Sequence, residues 1–156
     1  MFSGENPEGI IVSLAVSSRK GEKKKPVKEV LIRKNWGIEG DAHAGTPDRE
    51  VSLLEEEIIR EMERGKRKIF PGDFAENITT RGISLHTLPP GTRIQIGEEV
   101  ILEITRMGKK CPSPCWIYQS LGNCAMRERG IFTRVIQGGK IRVGDSIRVY
   151  KVEENL

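Results

Sequence analysis

Short apolar runs separated by glycine run through most of this chain. Ile10-Ile11-Val12-Ser13-Leu14-Ala15-Val16 is largely β-branched and lies between Gly9 and Ser17-Ser18, the pattern of a buried strand. Val30-Leu31-Ile32 reads as a second strand. Between them, Arg19 to Lys28 is basic and contains Gly21 and Pro26, which predicts a solvated hairpin loop. Gly37 to Asp48 reads as a polar, glycine-rich loop. Ser52 and Glu55 stand at capping-box spacing, with Leu54, Ile58 and Met62 following at helical spacing. This predicts one main helix over Ser52 to Arg64. Gly65 would stop it, and Lys66-Arg67-Lys68 would sit at the negative end of its dipole.

The second half alternates with period two. Arg93 to Ile96, Val100 to Thr105, Ile131 to Ile136, Ile141 to Val143 and Ile147 to Val149 each read as strands. Gly97, Gly138-Gly139 and Gly144-Asp145 supply turns between them. Closely spaced short strands with few helices predict a β-barrel or sandwich. No repeat, low-complexity tract or linker interrupts the pattern, and 156 residues suit one domain over 1–156.

Composition narrows the function classes. Hydrophobic residues make up 37% and charged residues 31%, an ordinary soluble balance. The net charge of +4 mildly favours anionic ligands. Basic residues are scattered, aromatic residues make up only 5%, and no recognition motif is present, so nucleic acid is not an expected partner. No apolar run reaches the ~18 residues of a membrane span, and Met1 to Gly9 lacks the pattern of a signal peptide. The expectation is therefore a cytoplasmic protein without a membrane partner. Its three cysteines would be reduced, an odd number arguing against a disulfide framework.

Three segments carry candidate chemistry. Gly40-Asp41-Ala42-His43-Ala44-Gly45 places an acid and an imidazole among glycines, which allow close approach of backbone N–H groups to an anion. The same six residues also read as a turn in which Asp41 caps backbone. Pro71 to Ile83, PGDFAENITTRGI, offers amide, hydroxyl and guanidinium donors to a phosphate or a ring with polar edges. It reads equally as a strand entered through a Pro-Gly turn, with Asn77 bonding backbone. The third segment is Gly108-Lys109-Lys110-Cys111-Pro112-Ser113-Pro114-Cys115, with Cys124 beyond. The neighbouring lysines favour thiolate, the form that attacks electrophiles and binds soft metals. The spacing is not that of a zinc ribbon or finger. Structural thiols, a metal site and a reactive thiol all remain open.

In order and spacing, GIEGDAHAG, DREVSLLEEE, PGDFAENITTRGISLHTLPPGTRIQIG, the cysteine segment and GIFTRVIQGGKIRVGD resemble the MOSC domain, named for the C-terminal part of molybdenum-cofactor sulfurases. The resemblance runs from about Trp36 to Tyr150 and is similar to the compact stand-alone bacterial type. It implies a mainly β, barrel-like fold with one main helix and short extra helices. It also implies the molybdenum cofactor (molybdopterin) as ligand, and a key cysteine that carries persulfide sulfur or ligates molybdenum. Ser113-Pro114-Cys115 most resembles the reactive position, which makes Cys115 the first candidate for catalysis and metal ligation and Cys111 the second. Cys124 belongs to the compact subfamily's own pattern.

Asp41, His43, Arg49, Asn77, Thr79, Arg81 and Arg134 become candidate cofactor contacts, the arginines for the phosphate. Solvated surface arginines are the alternative reading of those three. No desulfurase domain or pyridoxal-phosphate lysine motif is visible in this sequence, so full sulfurase activity does not follow. A cysteine desulfurase or a molybdoenzyme is then an implied partner. A self-contained molybdoenzyme reducing N-hydroxylated compounds, with an electron donor, is the alternative, and an adaptor barrel without chemistry is a third.

Overall fold

The computed structural model of the protein describes residues 8–20, 22–63, 68–108 and 125–151. Eleven strands form a closed barrel and a small accessory sheet. They are β1 (Glu8–Val16), β2 (Lys25–Val27), β3 (Glu29–Arg33), β4 (Gly37–Ile38), β5 (Val51–Glu55), β6 (Ile78–Arg81), β7 (Arg93–Ile96), β8 (Val100–Met107), β9 (Ile131–Gln137), β10 (Gly139–Arg142) and β11 (Ser146–Lys151). Two α-helices, α1 (Glu56–Glu63) and α2 (Ala125–Arg129), and a 3₁₀ turn at Leu85–Thr87 complete the described elements.

The barrel has seven strands in the ring order β1-β11-β7-β8-β9-β5-β6, with β6 returning to β1. Neighbours are antiparallel except β5 and β6, where Leu54 lies opposite Thr79 in a parallel pair. A parallel pair needs a crossover, and α1 lies in it. A register shift between Ile11 and Ser13 interrupts the β1–β6 ladder. Such an irregularity bends a strand, and β1 engages β11, β2 and β6 along its length. The accessory sheet orders β10-β3-β4.

The period-two reading of the second half holds. Val100, Leu102 and Ile104 point into the core while Ile101, Glu103 and Thr105 are half-buried. Ile94, Ile96, Ile147 and Val149 join the same cluster. A second apolar layer lies outside the barrel wall and is built from Leu54, Ile58, Ile59, Ile69, Phe74, Ala125, Met126 and Phe132.

The predicted helix starts late. Ser52 to Glu55 are strand, and the helix begins at Glu56. All five residues of β5 are buried, with Val51 and Leu53 in the barrel core and Leu54 in the outer layer. Leu54, Ile58 and Met62 therefore face one helical layer although Leu54 is in a strand. That shared layer made the spacing look helical across the boundary. Ser52 caps nothing; its N–H and hydroxyl both donate to Asn77 Oδ1, at 3.0 and 3.2 Å. The predicted end at Arg64-Gly65 lies outside the described residues.

Candidate functional site

The site grows from the end of β1. Beyond Val16, the Ser17 N–H donates to Asp41 Oδ1 at 3.1 Å, and the Ser17 carbonyl accepts from the Ala42 N–H at 2.7 Å. These bonds strap the GDAHAG loop onto β1. Asp41 Oδ2 accepts the His43 N–H at 3.1 Å, so Asp41 caps backbone at both carboxylate oxygens. The N–H groups of residues 41 to 46 all find acceptors within the protein. The loop is thus no open nest of amides; what it can offer a ligand comes from side chains.

The basic segment from Arg19 to Lys28 is not wholly a solvated loop. Its Pro26 lies in β2, and Lys24 is buried. Lys24 Nζ lies 2.8 Å from Asp41 Oδ1, 3.1 Å from Ser17 Oγ and 3.0 Å from His43 Nδ1. The side chains of Lys24 and Asp41 are both fully shielded from solvent. A buried lysine is tolerated when its charge is paired and its donors are bonded. Burial works against the Asp41 carboxylate, but the Lys24 hydrogen bond and charge, with the Ser17 and His43 amides, hold its pKa below the ordinary value. The His43 side chain remains one-quarter exposed.

The second segment meets the first through the same lysine. The Lys24 N–H donates to the Gly72 carbonyl at 2.8 Å. Gly72 sits at φ +92°, where a Cβ would lie 2.1 Å from the Lys24 carbonyl oxygen, so only glycine fits. Its N–H donates to Glu76 Oε2 at 2.9 Å, while Glu76 Oε1 accepts from the Phe74 N–H and Oε2 from the Thr79 hydroxyl. Glu76 is completely buried, and burial pushes its pKa up to about 7 against those bonds. An open cleft of about 610 Å³ lies between this turn and the start of β2, lined by Lys23, Lys24, Lys25, Phe70, Pro71 and Asp73 among others. That volume suits a small-molecule ligand.

The remaining candidates separate. Asn77 ties three strands: Oδ1 serves Ser52, Nδ2 donates to the Ala15 carbonyl at 3.1 Å, and its N–H donates to Ser52 Oγ. Arg81 is exposed and pairs with Glu56 at 2.7 Å. Arg134 pairs with Glu103 on the β8–β9 face, with Nε at 2.9 Å. Arg49 follows the GDAHAG loop, and among the described residues no carboxylate pairs with its guanidinium. So Arg49 keeps a guanidinium without a carboxylate partner among the described residues, while His43 meets Lys24 and Asn77, Thr79, Arg81 and Arg134 are engaged within the protein.

Cys111, Cys115 and Cys124 lie outside the described residues. Ala125, which follows Cys124, packs in the same apolar cluster as Phe74 of the second segment. Among the described residues no group of three or more His, Cys, Asp or Glu side chains could hold a metal ion. Sequence reasoning missed Lys24 and Glu76. The only signal for Lys24 was a Lys-Pro-Val step into a strand, and Glu76 had none beyond its place in the segment.

Fold and site together define a small closed β-barrel with an outer helical layer and an open cleft between the Pro71 turn and the start of β2. The chain belongs to the MOSC domain family, whose profile matches residues 40–148. Its fold is similar to that of the YuaD protein from Bacillus subtilis, at 21% identity and a TM-score of 0.78, covering 96% of this chain and 99% of that one. It is also similar to YiiM from Geobacillus stearothermophilus, at 22% identity and a TM-score of 0.67, covering 93% of this chain and 76% of that one. YiiM from Escherichia coli shares the fold at 18% identity and a TM-score of 0.63, over 94% of this chain and 72% of that one. No curated protein matches the sequence. No helix among the described residues is long and apolar enough to cross a membrane.

Proposed function

We propose that this chain is a molybdenum-cofactor-binding MOSC protein of the cytoplasm, with Cys115 either holding persulfide sulfur or ligating molybdenum. What carries the reading is the junction at the end of β1. There the GDAHAG loop and the PGDFAENITT turn, both inside the family's matched region, meet on Lys24. The donor set fits the cofactor's phosphate-bearing end: Arg49 is a guanidinium without a carboxylate partner among the described residues, and His43 is a partly exposed imidazole. Asn77 ties β1 to β5, and the Thr79 hydroxyl bonds the buried Glu76 carboxylate, so both support the turn rather than face a ligand. When bound, the cofactor would supply a redox-active metal centre for which a soft thiolate is a suitable ligand. A cysteine desulfurase is the natural partner if Cys115 carries sulfur, and a molybdoenzyme if the cofactor is handed on.

The test is metal, pterin and intact-mass analysis of protein made in cells with and without a working cofactor pathway. Bound molybdenum and pterin, or a mass gain of one sulfur that reductant removes, is expected in the first case. Cys115→Ser should lose the metal or the added sulfur while keeping the fold. Neither ligand nor sulfur in wild-type protein from pathway-competent cells would overturn the reading.

A further inference from the structure

The chain carries its surplus positive charge unevenly. Arg33, Arg60, Arg81, Arg93, Arg129 and Arg134 each meet a carboxylate. Arg19 and Lys20 in the loop between β1 and β2, and Lys25 at the start of β2, are exposed and meet no carboxylate among the described residues. Glu22 is the only acidic residue between Arg19 and Lys28. This charge borders an apolar surface. The cleft of about 610 Å³ between the hairpin and the Pro71 turn is lined by Pro26, Phe70 and Pro71 as well as by Lys23 and Lys25. Phe70 is 59% exposed, more than any other large apolar side chain among the described residues.

The turn that presents Phe70 is fixed from below. The Phe70 N–H donates to Asp73 Oδ2 at 2.9 Å, and the Asp73 N–H donates to the Phe70 carbonyl at 3.0 Å. The Gly72 N–H is anchored on the fully buried Glu76. Across the cleft, the Lys24 N–H holds the Gly72 carbonyl while its ammonium turns inward to Asp41. Lys24 therefore braces the hairpin against the turn, and Lys25 beside it stays exposed.

We infer that the β1–β2 hairpin and the Pro71 turn form a docking surface for an acidic segment of a partner protein that carries an apolar anchor residue. Phe70 and the two prolines take the anchor, and Arg19, Lys20 and Lys25 face the carboxylates. A central aromatic contact supplies most of the energy of such a complex, while charges at the rim set attraction and selectivity. The segment engages through side chains and adds no strand. β2 ends its sheet, but Pro26 has no N–H to give and Lys25 places a charge there, a combination that blocks edge pairing. The surface adjoins the GDAHAG loop through Lys24 and does not depend on what that loop binds.

Amide spectra of the isotope-labelled full chain, titrated with a short peptide of glutamates around one phenylalanine, test this. Saturable shifts should centre on Lys25, Phe70 and Gly72, and affinity should fall several-fold between about 0.05 and about 0.3 M salt. Phe70→Ala, at an exposed position, should keep the fold and weaken binding about tenfold. Lys25→Glu should weaken binding at low salt and reduce its salt dependence. Serine in place of the peptide's phenylalanine should cost as much as Phe70→Ala.

Equal binding of the serine peptide would overturn the inference, because charge alone would then explain it. Absence of shifts at these residues would overturn it too. Phenylacetate binding as tightly as the peptide would make the cleft a small-molecule site instead. Tighter binding of polyuridylate, or of vesicles of phosphatidylserine and phosphatidylcholine, to the same residues would replace the partner by nucleic acid or membrane. None of these readouts involves molybdenum or the cysteines, so failure here and failure of the cofactor reading are separately visible.

Discussion

Two buried carboxylates pull the stability of this protein in opposite directions with pH. Glu76 is fully buried, and burial raises its pKa from 4.5 to about 7 even though the amides of Gly72 and Phe74 and the Thr79 hydroxyl bond to it. Between those values the folded chain holds a proton that the unfolded chain has released. Stability from this group is therefore full below about pH 4.5 and lost as pH rises through 7. Asp41 behaves oppositely. Its pKa is held below 3.8, against the pull of burial, by Lys24 and two backbone amides. Its contribution is present above pH 3.8 and lost as pH falls below it. Urea denaturation across pH should thus show a maximum near pH 4, with a limb on its alkaline side on the order of 3 kcal/mol that is complete by about pH 7. Glu76→Gln should flatten that limb and leave the acid limb in place. An alkaline limb unchanged in Glu76→Gln would show that another group causes it.

At the scale of single elements, the Pro71–Phe74 turn and the GDAHAG loop use glycine for different reasons. Gly40 sits at φ +87° with no atom within 4 Å of a Cβ, so Gly40→Ala should cost only the left-handed strain of about 1–2 kcal/mol. Gly72 has a similar φ but abuts the Lys24 carbonyl. Gly72→Ala should cost more than Gly40→Ala and should also weaken the Lys24 N–H bond to Gly72. Denaturation of both variants, with amide exchange at Lys24, checks this; equal costs with unchanged exchange would contradict the close approach. The helix start makes a related point. Ser52 and Glu55 have capping-box spacing, yet β5 pairs with β6 and β9 there. Two ladders and burial on both faces outweigh a cap worth roughly 1 kcal/mol.

For the whole molecule, closure of the ring by β1 and β11 removes the free edges that an open sheet would carry. Native-state amide exchange should therefore be slow in the paired amides of β5, β8 and β9. It should be faster in β2 and in β4, which lie at the ends of their sheets. Exchange in β4 as slow as in β8 would mean that the accessory sheet unfolds only with the barrel. The small sheet also sets the site. β3 and β4 precede the GDAHAG loop, and Gly37 in β4 packs against the Glu50 carbonyl and Ala44 Cα, folding that loop back beside the end of β1.

What the sequence determined by itself was the repeating local pattern. Val100, Leu102 and Ile104 alternate with half-buried neighbours because one face of β8 meets a core, and that signal needs no partner to be read. The ordered segments from Trp36 to Tyr150 carried the family in the same way. Tertiary structure decided matters that depend on a residue's distant neighbour. Lys24 is buried only because Asp41, 17 positions later, pairs with it. Leu54 belongs to a strand only because β6 and β9 flank it. Arg81 and Arg134 are engaged only because Glu56 and Glu103 come to meet them. Desolvation and pairing are properties of contacts, and contacts between residues far apart in sequence exist only once the chain has folded.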